Sequence, residues 1–380
     1  MSFVNTFKAK TELCFGNHAL DKLTELVNLN AVIVTDSFMT SSGMVGMIVT
    51  KLANCKKVCI FDEVVPDPPI EVVTAGLSFL IKEDADVVIA LGGGSSIDAA
   101  KAIVFMAKQI GEKKNIKLIA IPTTSGTGSE VTKFAVITDK SRGLKYPLVD
   151  EEFQPDVAIL EAELVESAPP EITTNTGFDV ITHAMEAYVS TSANVFSDAL
   201  AEKSLTLACK YLPRAYRNGH NLEAREKMHD ASCLAGMAFN EVGLGINHSI
   251  AHAMGAKFHI PHGRANAMLL PHVVVFNANL DAAFGAGHTS TAYKYTEIAK
   301  RAGLPAENPR IAVSSLVEEL QYMLKMTRTP MSLREAGISR EEFDREKAAI
   351  VEAAMNDVCT QTNPRPVTPE DIEEILERIF

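Results

Sequence analysis

The chain has 380 residues, more than one average domain and enough for two. Hydrophobic residues make up 47% and charged residues 22%, as in an ordinary globular protein, and a net charge of −12 argues against nucleic-acid or anionic-membrane partners, which need a basic face. No apolar run approaches the ~18 residues of a membrane span, the N-terminus Met1-Ser-Phe-Val-Asn-Thr-Phe lacks the apolar core of a secretory signal, and the six cysteines are scattered without a C-x-x-C, so a cytoplasmic chain with reduced thiols is expected.

Residues 1–174 read as alternating strand and helix. The apolar runs Ala31–Thr35, Lys57–Phe61, Asp86–Leu91 and Lys117–Ile121 read as strands, and Ile70–Lys82 and Ser96–Gln109 as helices between them. Continuous apolar strands separated by helices predict βαβ units and a parallel sheet buried on both faces. Phe134–Thr138 and Leu144–Val149 read as a hairpin around Ser141-Arg142-Gly143, and Asp156–Leu160 as a further strand. After Pro169-Pro170 the pattern turns helical, so an all-helical domain is expected over 175–380, ending in an N-capped helix from Thr368.

Two loops of the first half suit a nucleotide. Gly92-Gly93-Gly94-Ser95-Ser96 sits where a strand gives way to a helix; glycines admit a phosphate close to the backbone, and the helix N-terminus offers free N–H groups. Asp98 lies in the first helical turn and is counted with them as a cofactor-binding candidate. Thr123-Thr124-Ser125-Gly126-Thr127-Gly128-Ser129 also follows a strand, which puts both loops at the carboxyl edge of one sheet, where ligands of open α/β sheets bind. Asp36, at the end of the first strand, can accept both ribose hydroxyls of adenosine and repels a 2′-phosphate, favouring NAD(H) over NADP(H).

The second half concentrates histidine. Asp179 and His183 are four residues apart, as are His248 and His252, so each pair shares a helix face. His262 falls in a turn between Pro261 and Gly263. A carboxylate with several imidazoles suits a divalent transition metal, Fe(II) or Zn(II) first. Spacing alone leaves His248, His252, His259 and His262 all as candidate ligands; His272 reads as a capping or packing residue, and His18, His220, His229 and His288 as surface or capping residues.

Taken together, Gly92-Gly-Gly-Ser-Ser-Ile-Asp98, Pro122-Thr-Thr-Ser-Gly-Thr-Gly-Ser-Glu130, Gly177 to Tyr188, and His248-x3-His252-x9-His262-Gly resemble the iron-containing (group III) alcohol dehydrogenase family over essentially the whole chain. The resemblance implies a Rossmann-like α/β dinucleotide-binding domain, an all-α metal domain, and an active site in the cleft between them. It implies that Asp179, His183, His248 and His262 hold the metal, with Fe2+ the first choice and Zn2+ the second, and that His252 stands beside it without ligating. Gly93, Gly94 and Ser95 would hold the pyrophosphate of NAD(H), and Thr123, Thr124, Thr127, Val136 and Lys145 would line the rest of the groove. One departure is Asp67, between Pro66 and Pro68, where many members carry Asn.

The activity so implied is hydride transfer between NAD(H) and a short-chain primary alcohol, diol or aldehyde, with His252 as the proton relay, in a homodimer or larger homo-oligomer. A hydroxyacid–oxoacid transhydrogenase and a glycerol-dehydrogenase-like polyol oxidoreductase are the competing enzymes. A non-catalytic assembly role is the reading from another class, and the full set of ligands and loops argues against it.

Overall fold

The apolar runs of the first half do form parallel strands. The structure, a computed structural model, describes residues 7–111, 115–141, 144–280 and 289–380; the expectations for Arg142, Gly143 and His288 lie outside them. The strands are β1 (Glu12–Phe15), β2 (Asn30–Asp36), β3 (Lys57–Val64), β4 (Val87–Gly92), β5 (Lys117–Pro122), β6 (Phe134–Asp139), β7 (Leu144–Val149) and β8 (Val157–Leu160). Six pair in parallel in the order β1-β8-β5-β4-β2-β3, and β6 pairs with β7 antiparallel as a separate ribbon. β1 was not legible in the sequence: its four residues alternate too briefly to distinguish a strand from a loop, and among the described residues it pairs with β8 alone.

Both faces of the sheet are covered, which is why its strands are continuously apolar. Ala31, Ile33, Val87, Ile89 and Leu91 share one core with Met39 of α1 (Ser37–Ser41) and with Val45 and Ile48 of α2 (Met44–Lys51). Val32, Val34, Val88 and Ala90 share the other with Val73 and Leu80 of α3 (Ile70–Lys82) and Ile97 and Ile103 of α4 (Gly94–Gln109). From β2 the chain steps outward to β3, then returns to β4 on the other side of β2 and continues to β5. The winding therefore reverses between β2 and β4, the position at which open α/β sheets bind ligands.

The described residues form two compact units, Met1–Ala168 and Pro169–Phe380. The boundary expected at 174 falls inside α5 (Pro170–Val189), because Pro170 occupies the first turn, where its fixed φ suits a helix and its missing N–H leaves no bond unmade. The second unit continues with α6 (Val195–Arg217), α7 (Leu222–Val242), α8 (Ile246–Phe258), α9 (His262–Ala278), α10 (Ser290–Arg301), α11 (Pro309–Met326), α12 (Arg340–Asn356) and α13 (Pro369–Arg378). Its core gathers Ile250 and Met254 of α8, Leu269 and Val273 of α9, Phe343 and Ile350 of α12, and Ile375 and Leu376 of α13.

Two expectations about histidines are corrected. His262 is not in a turn: Pro261 is the N-cap and His262 the first residue of α9, since proline breaks the chain just ahead of a helix and the glycine that follows is accepted inside it. His229 is not on the surface but 2% exposed, because α7 packs against both α5 and α6 and carries even its polar positions inside. No described helix is long and apolar enough to cross a membrane.

Candidate metal centre and nucleotide groove

Three helices bring four side chains to one point. α5 supplies Asp179 and His183 one turn apart, α8 supplies His248, and α9 supplies His262 from its first position. One ligand atom from each lies within 4.8 Å of all the others. From Asp179 Oδ1 the Nε2 atoms of His262, His248 and His183 stand at 3.4, 3.7 and 4.0 Å. Donors ~2.1 Å from a common tetrahedral centre are spaced ~3.4 Å apart, so this set fits a single first-row divalent ion. α9 reaches Asp179 because Gly263 carries no side chain: a Cβ there would lie 1.9 Å from the backbone oxygen of Asn175 on α5. His183 is stacked between Phe239 and His248, with ring centroids 4.5 Å away on each side.

The centre is built to receive positive charge. Two buried carboxylates serve it: Asp179 directly, and Glu186, whose Oε2 meets His248 Nδ1 at 2.5 Å while its Oε1 accepts the Asn247 N–H at 2.7 Å. Burial works against charge on Asp179, yet His183 and His262 hold its carboxyl far below the ordinary carboxylate range. Burial likewise disfavours charge on His248, but Glu186 and Asp179 outweigh it and draw the imidazole up to about 9. His262 goes the other way: burial pushes it down to about 3, which leaves it the neutral imidazole that a metal would need. The Asn266 amide nitrogen aims its N–H groups into the same spot, 2.7 Å from Asp179 Oδ1, 3.1 Å from His262 Nε2 and 3.2 Å from His248 Nε2. Neither Glu186 nor Asn266 was singled out in the sequence; Glu186, seven residues after Asp179, lies two helical turns along the same face.

Of the remaining candidates, His259 ends α8 in a left-handed conformation (φ 54°), is exposed and is not one of the four clustered residues. His252 stands next to the cluster: its ring stacks on that of His262, centroids 5.1 Å apart. Its Nδ1 is 2.9 Å from Asp357 Oδ2, and Cys359 lies beside Asp357. Burial would raise Asp357, but the hydrogen bond and charge of His252 and the Cys359 N–H hold it down to about 2.

In the first unit the two hydroxyl- and glycine-bearing loops start side by side, with Thr123 N–H donating to the Gly92 carbonyl at 2.9 Å. Gly92 takes φ +143°, which a side chain resists, and a Cβ on Gly94 would sit 2.8 Å from Thr127 Cγ2. The glycines are thus required by loop-on-loop packing as well as by any phosphate. Gly93 caps α4, with Gly94 and Ser95 in its first turn. Asp36 Oδ1 caps α1 by accepting from Phe38 and Met39 N–H, and its Oδ2 is 3.4 Å from Ser96 Oγ, across the point where the winding reverses. Asp98 turns inward: its oxygens accept from Ser129 Oγ at 2.6 Å and Val136 N–H at 3.0 Å, so it holds the Thr123–Ser129 loop and β6 in place. Lys145 pairs with Asp67 at 2.6 Å, so the acidic departure between the prolines is neutralised locally. Beneath them Lys101 is fully buried, its ammonium donating to Ser129 Oγ and to the Thr132 and Phe134 carbonyls.

Comparison with known proteins covers both units. Residues 10–162 match the family model for iron-containing alcohol dehydrogenase, and residues 173–380 match the C-terminal model of the Fe-containing alcohol dehydrogenase family. The 1-propanol dehydrogenase PduQ of Salmonella typhimurium is 44% identical over 99% of this chain and 100% of its own length. An NADPH-dependent butanol dehydrogenase of Clostridium saccharobutylicum is 37% identical over 98% of this chain and 97% of its own. Among solved structures, sulfoacetaldehyde reductase from Bifidobacterium kashiwanohense in complex with NAD+ superposes with a TM-score of 0.85 at 27% identity, covering 100% of this chain and 99% of that one.

Proposed function

This chain belongs to the iron-containing alcohol dehydrogenase family, oxidoreductases acting on CH–OH donors, and from that premise we propose that it interconverts short-chain primary alcohols or diols and their aldehydes with NAD(H) and one divalent metal. The observation that carries this reading is the convergence of Asp179, His183, His248 and His262 from three helices on one point, with a buried carboxylate behind His248. Fe(II) is the first choice of metal and Zn(II) the second, since imidazole and carboxylate suit both. When bound, the metal supplies Lewis-acid polarisation of the substrate oxygen, and the nicotinamide gives or takes the hydride.

The chain's own residues do the rest. Asp179, His183, His248 and His262 would hold the metal at one point. His252, adjacent to them yet absent from the ligand set, carries the hydroxyl proton away in oxidation and returns it in reduction. Gly93, Gly94 and Ser95 bind the pyrophosphate at the start of α4, and Thr123, Thr124, Thr127, Val136 and Lys145 line the groove. Asp36 selects NAD(H): one oxygen is used by its helix cap, and the other remains on the groove side, near Ser96. A relative named as an NADPH-dependent butanol dehydrogenase means that family membership alone does not choose the cofactor, and in this reading Asp36 does. A homodimer or larger homo-oligomer in the cytoplasm is the assembly and place we infer.

The test is NADH absorbance on purified protein with a panel of short aldehydes, before and after chelation and with Fe(II) or Zn(II) restored. Aldehyde-dependent NADH loss that the chelator abolishes and one metal restores is the expected result. No loss with either nucleotide and either metal, together with nucleotide that copurifies and exchanges hydride between two substrates, would replace this reading with a transhydrogenase.

A further inference from the structure

We propose that Asp357 is a positioning residue for proton transfer at the metal centre: it fixes the ring and tautomer of His252. The inference rests on the reading of His252 as proton carrier. His252 is a poor carrier by itself, because its side chain is 45% exposed, and an exposed imidazole interchanges its two neutral tautomers unless a partner fixes one of them. Asp357 removes that freedom. Its carboxylate is acceptor-only, so the 2.9 Å contact from Oδ2 to His252 Nδ1 puts the proton on Nδ1 and leaves Nε2 as the basic nitrogen.

The carboxylate is itself rigidly held. Its side chain is 19% exposed, and Oδ1 accepts the Cys359 N–H at 2.8 Å as the N-cap of the short 3-10 turn Val358–Thr362. The same oxygen accepts from Ser249 Oγ at 3.4 Å, and Thr360 Oγ1 donates to Ser249 Oγ at 2.8 Å, which ties the turn back to α8. One oxygen of Asp357 therefore anchors it, and the other orients the histidine. That division of labour is the arrangement by which a buried carboxylate sets the working tautomer of a catalytic imidazole.

The division also defines the experiment. Asp357→Asn can keep the anchor, because the amide oxygen still caps the turn, while the amide N–H replaces Oδ2 and donates to His252 Nδ1, driving the proton to Nε2. With metal-loaded enzyme we expect kcat to fall by about tenfold to a hundredfold, with bound metal and KM unchanged, and Asp357→Glu to recover part of the loss. In a His252→Ala background, Asp357→Asn should cost no further activity. Independently of turnover, 15N NMR of the imidazole nitrogens in metal-free protein should show His252 protonated on Nδ1, and on Nε2 in Asp357→Asn. Additive losses in the double variant, or an unchanged tautomer, overturn the role of Asp357 while leaving His252 as carrier. Full turnover in His252→Ala removes the carrier itself.

Discussion

Glu186 stands behind His248, its Oε2 2.5 Å from Nδ1, and its other oxygen accepts the N–H of Asn247 near the start of α8. This fixes the imidazole so that Nε2 is the atom presented toward Asp179. A carboxylate behind a metal-binding histidine orients the ring and raises its basicity. Glu186→Gln should therefore keep the fold but weaken metal affinity by about 10–100-fold. Competition with a chromophoric chelator measures this; equal affinities for the variant and the native chain would reduce Glu186 to a packing residue.

His262→Ala and Asp179→Asn should each lose metal and activity together, as shown by metal analysis on the same samples used for kinetics. An active, metal-loaded His262→Ala would take His262 out of the ligand set.

Gly263→Ala should be far more harmful than an exposed glycine exchange. The added Cβ would lie 1.9 Å from the Asn175 backbone oxygen, which cannot rotate away, so α9 must move off α5. A loss of about 1–3 kcal/mol is expected, with weaker metal binding because His262 moves as well. Thermal unfolding with and without metal reads both effects; an unchanged Tm would mean the helices slide without strain.

Asp36→Gly should raise the NADP(H)/NAD(H) ratio of kcat/KM by about tenfold or more, since like charges ~4 Å apart near a surface oppose each other by about 1–4 kcal/mol. Glycine is tolerated as an N-cap, so α1 should survive the exchange with a loss of only a few tenths of a kcal/mol. A ratio that stays fixed would leave Asp36 as a helix cap only.

Glu130, 2% exposed in the 3-10 turn Ser129–Val131, is pushed up to about 7 from 4.5 by burial, against the opposing charge of Lys101. Its folded value is above the unfolded one. Its contribution to stability is therefore complete below about pH 4.5 and disappears as pH rises through about 7. Tm should fall between pH 5 and 8 in the native chain, and less steeply in Glu130→Gln. Parallel curves would show that the carboxyl is not what titrates.

Much of this was legible before the fold was known. The period of 3.6 pairs Asp179 with His183 and His248 with His252 on any helix, and buried parallel strands announce themselves as unbroken apolar runs, because both faces must be covered. Asp36, Gly93 and the Thr123–Ser129 loop could be placed at one sheet edge because parallel strands deliver their carboxyl ends to the same side. Asp98, a cofactor candidate from its place in the first turn after the glycines, also has its two oxygens engaged by Ser129 and Val136, which no spacing along the chain encodes.

By itself, then, the sequence determined most strands and helices of the first unit, the helical character of the second, and which residue types could bind a metal or a phosphate, since those depend on local periodicity and chemistry. Residue spacing left His252 and His259 open as ligands, and the tertiary structure puts both outside the four-residue cluster: α8 ends at His259, and His252 turns toward Asp357. Only the tertiary structure brought Glu186 to His248, Asn266 to Asp179, and Asp357 to His252, across 62, 87 and 105 residues of chain. Such pairings are set by how helices pack, through contacts like that of Gly263 with Asn175, and no spacing rule along the chain encodes them.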